Sequence, residues 1–166
     1  MKEITENDAL YRLAALCSKS EHCSHEMVEK MVKWGLDEEA QARVMSRLTT
    51  EKYIDDVRYC LFFIRDKVRY NHWGRAKIEQ ALWLKRIPKS ISSPIFDEMD
   101  EKEYTQVLRK LLDAKRKTIT AKNDFEAKGK LIKFALGRGF SMEVIRKCLD
   151  TDGYNMEDED DDKFLE

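Results

Sequence analysis

Four cysteines and three histidines are the residues of this 166-residue chain best suited to hold a metal or attack a substrate. His22, Cys23 and His25 fall close together, with Cys17 shortly before them. Thiolates and neutral imidazoles are zinc ligands, so this cluster is where zinc would be sought. Zinc sites usually combine two ligand pairs at regular spacing, and the chain has no second pair. A polar turn that opens a helix at Ser24 is the simpler reading. Asp55-Asp56 has the form of a carboxylate pair for acid–base work or magnesium. At the start of a helix such a pair more simply caps amides and complements the dipole. There is no phosphate loop, glycine-rich dinucleotide turn or serine elbow. The sequence reads as non-enzymatic, without metal or cofactor.

Charge points elsewhere. Net charge is −1, but residues 150–166 carry nine acids and one base, which leaves +7 for residues 1–149. Residues 1–56 sum to −4, 57–101 to +3 and 102–149 to +8, so a polyanion would meet the later parts of the chain. Residues 65–89 hold Arg65, Lys67, Arg69, Arg75, Lys77, Lys85, Arg86 and Lys89 against Asp66 and Glu79. Residues 109–147 hold twelve bases against four acids, among them Lys115, Arg116, Lys117, Lys128, Lys130, Lys133 and Arg138. Solvated helices interleave charge signs for pairing at i to i+4. This one-sided excess favours a polyanion or an acidic protein groove over a merely solvated face. Tyr70, Trp73 and Trp83 lie among the bases, where aromatic rings stack on nucleobases or anchor partners. Packing is the commoner role for each of them. Trp73-Gly74, in a turn before a helix, is the best functional candidate. Arg69, Arg75 and Lys77 around it are expected to serve contact rather than fold.

The elements that position these residues emerge from self-similarity at a period of about fifty residues. Met31-Val32-Lys33-Trp34-Gly35-Leu36-Asp37, Leu82-Trp83-Leu84-Lys85-Arg86-Ile87-Pro88 and Ala135-Leu136-Gly137-Arg138-Gly139-Phe140-Ser141 each end a helix, break, and start another. Gly35 and Gly139 supply the left-handed stop; Asp37 and Ser141 cap the next helix, and Pro88 suits a first turn. Upstream, Met27, Ile78 and Leu131 are equivalent; downstream, Ala40, Ile91 and Val144, then Val44, Ile95 and Cys148. An earlier amphipathic helix in each copy shows Leu10, Leu13 and Cys17, then Leu61, Ile64 and Val68, then less cleanly Leu108, Leu111 and Lys115. The third copy has extra residues around Lys115 to Asp124. Thr5 and Asp8 have capping-box spacing, Ser24 opens the second helix and Asp55-Asp56 the fourth.

The expectation is an all-α chain of nine principal helices, with repeats at 1–54, 55–100 and 101–150 in an elongated or curved array, and a disordered acidic tail at 151–166. Six Gly and two Pro in a chain that is 38% charged are too few turn residues for a sheet-rich fold. No secretory signal or membrane span is apparent, so a cytoplasmic monomer is expected. Cys17, Cys60 and Cys148 read as small buried hydrophobes, and Cys23 as exposed in its turn; no disulfide is needed. The acidic tail is expected to cover, transiently, the basic face around Lys115-Arg116-Lys117 and Lys128 to Lys133.

Three stretches in order carry a family resemblance. Tyr53-Ile54-Asp55-Asp56-Val57-Arg58-Tyr59-Cys60 with Phe63-Ile64-Arg65 resembles the central signature of RecX proteins. Gly74-Arg75-Ala76-Lys77-Ile78 leading to Leu82, Lys85 and Ile87 is similar to that family's next helix. Arg138-Gly139-Phe140-Ser141 with Glu143, Ile145 and Leu149 resembles its carboxy-terminal signature. Ser24-His25-Glu26-Met27 with Lys30, Met31 and Gly35 matches more loosely. The resemblance covers about residues 9–149. It implies tandem three-helix repeats and binding to the RecA recombinase filament on single-stranded DNA. It further implies inhibition of filament growth, ATP hydrolysis and strand exchange. Single- or double-stranded DNA contact would accompany this. The alternative is a direct DNA-binding regulator of helix-turn-helix type, suggested by the three short breaks. Two departures stand out: Glu21 to Cys23 where many relatives carry a base, and the acidic tail.

Overall fold

A computed structural model describes residues 3–150. Among them are nine helices and no strand, in three successive triplets: α1 Glu6–Lys19, α2 Ser24–Lys33, α3 Glu38–Thr50; α4 Asp56–Arg69, α5 Arg75–Leu84, α6 Lys89–Glu98; α7 Glu101–Arg116, α8 Asp124–Gly137, α9 Met142–Cys148. No helix of the described residues is long and apolar enough to cross a membrane. The expected tail at 151–166 lies outside the described residues.

Local chemistry sets the boundaries. The Thr5–Asp8 capping box is formed in both directions, at 3.1 and 3.2 Å. Asp37 Oδ1 accepts from the Ala40 amide at 2.8 Å, and Ser141 Oγ from the Val144 amide at 3.2 Å. Gly35 and Gly139 are left-handed, with φ of 81° and 94°. The second repeat puts Arg86 at the matching place with φ 59°, so an arginine takes the conformation that glycine adopts in its sister repeats. Pro88 sits one residue before α6, where its carbonyl accepts from the amides of Ile91 and Ser92. The long third connection, residues 117–123, ends on Asn123, whose side chain accepts from the Glu126 amide at 2.9 Å.

The helices gather into two compact units: residues 1–62 with 82–92, and residues 63–81 with 93–150. In the first, α3 packs on α1 and α2 around Leu13, Met27, Met31, Val44, Leu48 and Ile54. In the second, α7 packs on α8 and α9, burying Leu108, Leu112, Leu131, Ile132, Ala135, Val144 and Ile145. The positions aligned upstream of each break, Met27, Ile78 and Leu131, are all buried.

Three expectations need correction. In α6, Ser92 and Phe96 are buried and Ile91 and Ile95 only half-buried. The stripe is turned by one residue, which puts the larger Phe96 ring inside, and an aromatic ring removes more apolar area from water than an isoleucine. In α7 the same shift buries Leu112 rather than Leu111. Among the cysteines, Cys60 is buried as expected, and Cys17 and Cys148 are half-buried. Cys23 is not exposed but fully buried, because its thiol points inward at Glu26 Oε1 (3.4 Å) and the Lys85 carbonyl (3.8 Å).

Candidate functional site

The cluster at the front of α2 is held as structure. His22 Nδ1 donates to Glu26 Oε2 at 2.9 Å, while His25 Nε2 turns to Glu29 at 2.7 Å. Burial pushes the Cys23 thiol up to about 12, so it stays protonated near neutral pH and is a poor metal ligand there. No three His, Cys, Asp or Glu among the described residues could together hold an ion. Burial alone would raise Glu26, but hydrogen bonds from His22 and Cys23 and the charge of Lys85 outweigh it and hold the carboxyl below its ordinary range.

Asp55 and Asp56 cap helices, but not the same one. Asp55 Oδ1 accepts from the amides of Val57 and Arg58 at 3.0 and 3.1 Å, closing the start of α4. Asp56 Oδ1 instead accepts the Ser24 amide at 2.8 Å and so satisfies the first turn of α2 from a distance in sequence.

The basic residues divide between the units. Lys85 and Arg86 lie in the first; Arg65, Lys67, Arg69, Trp73, Arg75, Lys77, Lys115, Arg116, Lys117, Lys128, Lys130, Lys133 and Arg138 in the second. In the second unit two aromatic rings gather cations from different helices. The Lys67 and Lys77 ammoniums each lie 4.9 Å from the centre of Trp73. Lys115 and Arg138 lie 4.9 and 5.2 Å from the centre of Phe134. Each such contact stabilises by about 0.5–1 kcal/mol at exposed sites.

Backbone joins these two groups. The Gly74 amide donates to the Arg138 carbonyl at 2.8 Å, and the Ala76 amide to the Gly139 carbonyl at 3.1 Å. The chains meet so closely that a Cβ on Gly74 would stand 2.4 Å from Gly139 backbone atoms, and a Cβ on Gly139 2.5 Å from the backbone nitrogen of Lys77. Both residues must therefore be glycine. This contact holds the front of α5, next to Trp73, against the α8–α9 turn that follows Phe134 and Arg138.

Several of the predicted residues also make contacts within the fold. Arg75 bonds Glu79 at 2.5 Å and Asp97 at 3.4 Å and lies over the Phe96 ring at 4.9 Å. Arg116 pairs with Asp113, and Lys128 with Asp150. Lys130 is bound to Glu126 and to the Thr120 carbonyl. Lys85 is half-buried beside Glu26. Arg65, Arg69, Lys117 and Lys133 are exposed. Tyr70 and Trp83, expected to pack, are 77% and 63% exposed, with Arg86 5.6 Å from the centre of Trp83. Phe63 and Phe134 escaped sequence reasoning. Their spacing was the missed signal, since Phe63 with Lys67 and Phe134 with Arg138 stand at i and i+4 on one helix face.

Comparison with known proteins agrees in all three tests. A family model for the second three-helix domain of RecX matches residues 55–92, and one for the third matches 101–149, together just over half of the chain. The chain is 29% identical to the regulatory protein RecX of Clostridium tetani over 141 residues, 81% of this chain and 64% of that protein. It therefore spans under two thirds of that relative's length. The RecX proteins of Chlorobaculum tepidum (29% identity, 90% and 91% covered) and Vibrio campbellii (29%, 87% and 88%) match nearly end to end. Two RecX crystal structures resemble the fold. One has a TM-score of 0.79 at 19% identity and covers 86% of this chain and 72% of its own. The other, from Lactobacillus salivarius, has 0.77 at 17%, covering 86% and 93%.

Proposed function

Because the chain belongs to the RecX family of regulatory proteins, we propose that it binds the RecA filament on single-stranded DNA and restrains filament growth, ATP hydrolysis and strand exchange. The observation that carries this reading is the two groups of cations on rings, Lys67 and Lys77 on Trp73 and Lys115 and Arg138 on Phe134, with Arg65, Arg69, Lys117 and Lys133 exposed in the same unit. An acidic groove that carries DNA is the natural complement of such a surface.

The mechanism needs no chemistry. Repeats at 1–54, 55–100 and 101–150 serve as modules along the groove. There they compete with a second DNA strand and oppose changes between neighbouring protomers. Contact with DNA phosphates adds to the affinity. In this reading the protein acts in the cytoplasm as a monomer, without cofactor.

The test is retention on RecA–DNA filaments compared with bare single-stranded DNA. Stronger retention on the filament, together with slowed ATP hydrolysis, is the expected result. Equal retention on both, falling steeply with salt, would instead favour a direct DNA binder.

A further inference from the structure

We propose that the turn after α5, with Trp83, Leu84 and Arg86 at its surface, is a docking point for a protein partner that offers an apolar pocket rimmed by carboxylates. The inference rests on the function proposed above, and it assigns this turn to the protein of the filament rather than to its DNA.

The first observation is exposure. Trp83 and Leu84 are each 63% exposed, whereas Leu82 beside them is 1% exposed. Successive residues of an α-helix are turned by about 100°, so Leu84 stands nearly opposite Leu82, with Trp83 between them. Two large apolar side chains are thus neighbours in water at the end of α5. Single exposed apolar residues are ordinary, but tryptophan with an arginine on its ring is the composition found at the energetic centres of protein interfaces.

The second is rigidity. The amides of Lys85 and Ile87 both donate to the Leu82 carbonyl at 3.1 Å, and the Arg86 amide to the Trp83 carbonyl at 3.0 Å. Ile87 is buried, and the Cys23 thiol donates to the Lys85 carbonyl at 3.8 Å. The turn is fixed from beneath, so little ordering is left to do on binding.

The third is Arg86 itself. Its φ of 59° is the left-handed conformation that Gly35 and Gly139 supply in the sister repeats. The fold alone would favour glycine here, because a Cβ is strained in this region. What the arginine adds is an exposed cation whose guanidinium lies 5.6 Å from the centre of the Trp83 ring. Strain kept at such a place points to contact as its purpose.

Charge and shape then select the partner. Residues 82–92 hold Lys85, Arg86 and Lys89 and no acid, which calls for carboxylates opposite. A nucleobase could stack on Trp83, but Leu84 has neither a stacking plane nor a charge for phosphate, and a protein pocket buries both side chains.

The experiment compares full-length chains for retention on RecA–DNA filaments and on bare single-stranded DNA. Trp83→Gln with Leu84→Gln should weaken filament retention about tenfold or more, leave retention on bare DNA unchanged, and keep Tm within about 2 °C of the parent. Equal losses on filament and bare DNA would mean that Trp83 stacks on bases, and would overturn the protein partner. Unchanged filament retention would overturn the docking while the proposed function stands. A parent chain that filaments do not retain would sink the proposed function and this inference with it. Arg86→Gly supplies the second variant: retention should fall roughly threefold to tenfold with Tm equal to or above the parent's, since strain is relieved. A Tm lowered by several degrees with retention intact would show that Arg86 serves the fold, and would remove it from the docking point.

Discussion

Helix α4 shows two uses of arginine within a few turns. Its first half belongs to the first unit, where Arg58 is drawn inward: Nε bonds Glu21 at 2.7 Å, and the guanidinium donates to the carbonyls of Lys52 and Tyr53. Its second half belongs to the second unit, where Arg65 and Arg69 are exposed. The same contrast runs through the units as wholes. Twelve bases meet twelve acids in the first, with Arg43 on Glu6 and Arg47 on Glu51, whereas eighteen bases meet twelve acids in the second as far as residue 150. Charge in the first unit is matched within the fold; in the second a surplus faces outward. Composition alone could not separate these uses, because only the location of each partner carboxylate does.

The largest effect that would test this contrast is at the glycines. Gly74→Ala and Gly139→Ala each force backbone against backbone and should cost about 3 kcal/mol or more in denaturant unfolding. Gly35→Ala in the first unit has nothing within 4 Å of the added methyl and only the left-handed strain, about 1 kcal/mol. Equal losses at Gly35 and Gly139 would show that the interlock contributes nothing.

Next comes α4 itself. Arg65→Glu with Arg69→Glu should weaken filament retention about tenfold or more, equivalent to about 1.4 kcal/mol, with Tm within about 2 °C of the parent. Arg58→Ala should do the reverse, lowering Tm by several degrees, since it strands the half-buried Glu21. Loss of retention in the Arg58 variant at unchanged Tm would erase the distinction between the two halves.

A smaller effect is expected at Asp56. Removing its carboxylate leaves the Ser24 amide unsatisfied, and Asp56→Ala should cost about 1 kcal/mol. A control at Asp55 should cost a similar amount, although the helix it caps is a different one.

The smallest concerns pH. Glu26 is held below its ordinary range, so the stability it adds is fully present above the unfolded carboxylate pKa and is lost as pH falls through its lowered folded value. Glu26→Gln should therefore flatten the acid limb of the stability curve. An unaltered limb would mean that the His22 and Cys23 hydrogen bonds do not stabilise the carboxylate.

Much of the fold was legible because its signals are local. Gly35, Gly139, Asp37, Ser141 and the Thr5–Asp8 box each act within a few residues, and each performs as its type and spacing dictate. Apart from the spacing of Phe63 and Phe134 with their cations, what the sequence missed is non-local. Cys23 looked like part of a polar turn because nothing nearby reveals that Lys85 covers it. Asp56 looked like a cap for its own helix because the orphan amide it serves is 32 residues away. The pairing of Arg75 with Asp97, on a later helix, was likewise out of sight. The basic excess was legible as composition, but its gathering on Trp73 and Phe134 depends on how α4 meets α5 and α7 meets α8.

That contact also changes what α5 reports about its surroundings. The first amides of a helix have no partner within it and ordinarily exchange their hydrogens with water fastest. Here the amides of Gly74 and Ala76 are bonded to the carbonyls of Arg138 and Gly139. Their exchange is thereby tied to opening of the α8–α9 turn, and two hydrogens at the front of one repeat become clocks for the integrity of the next.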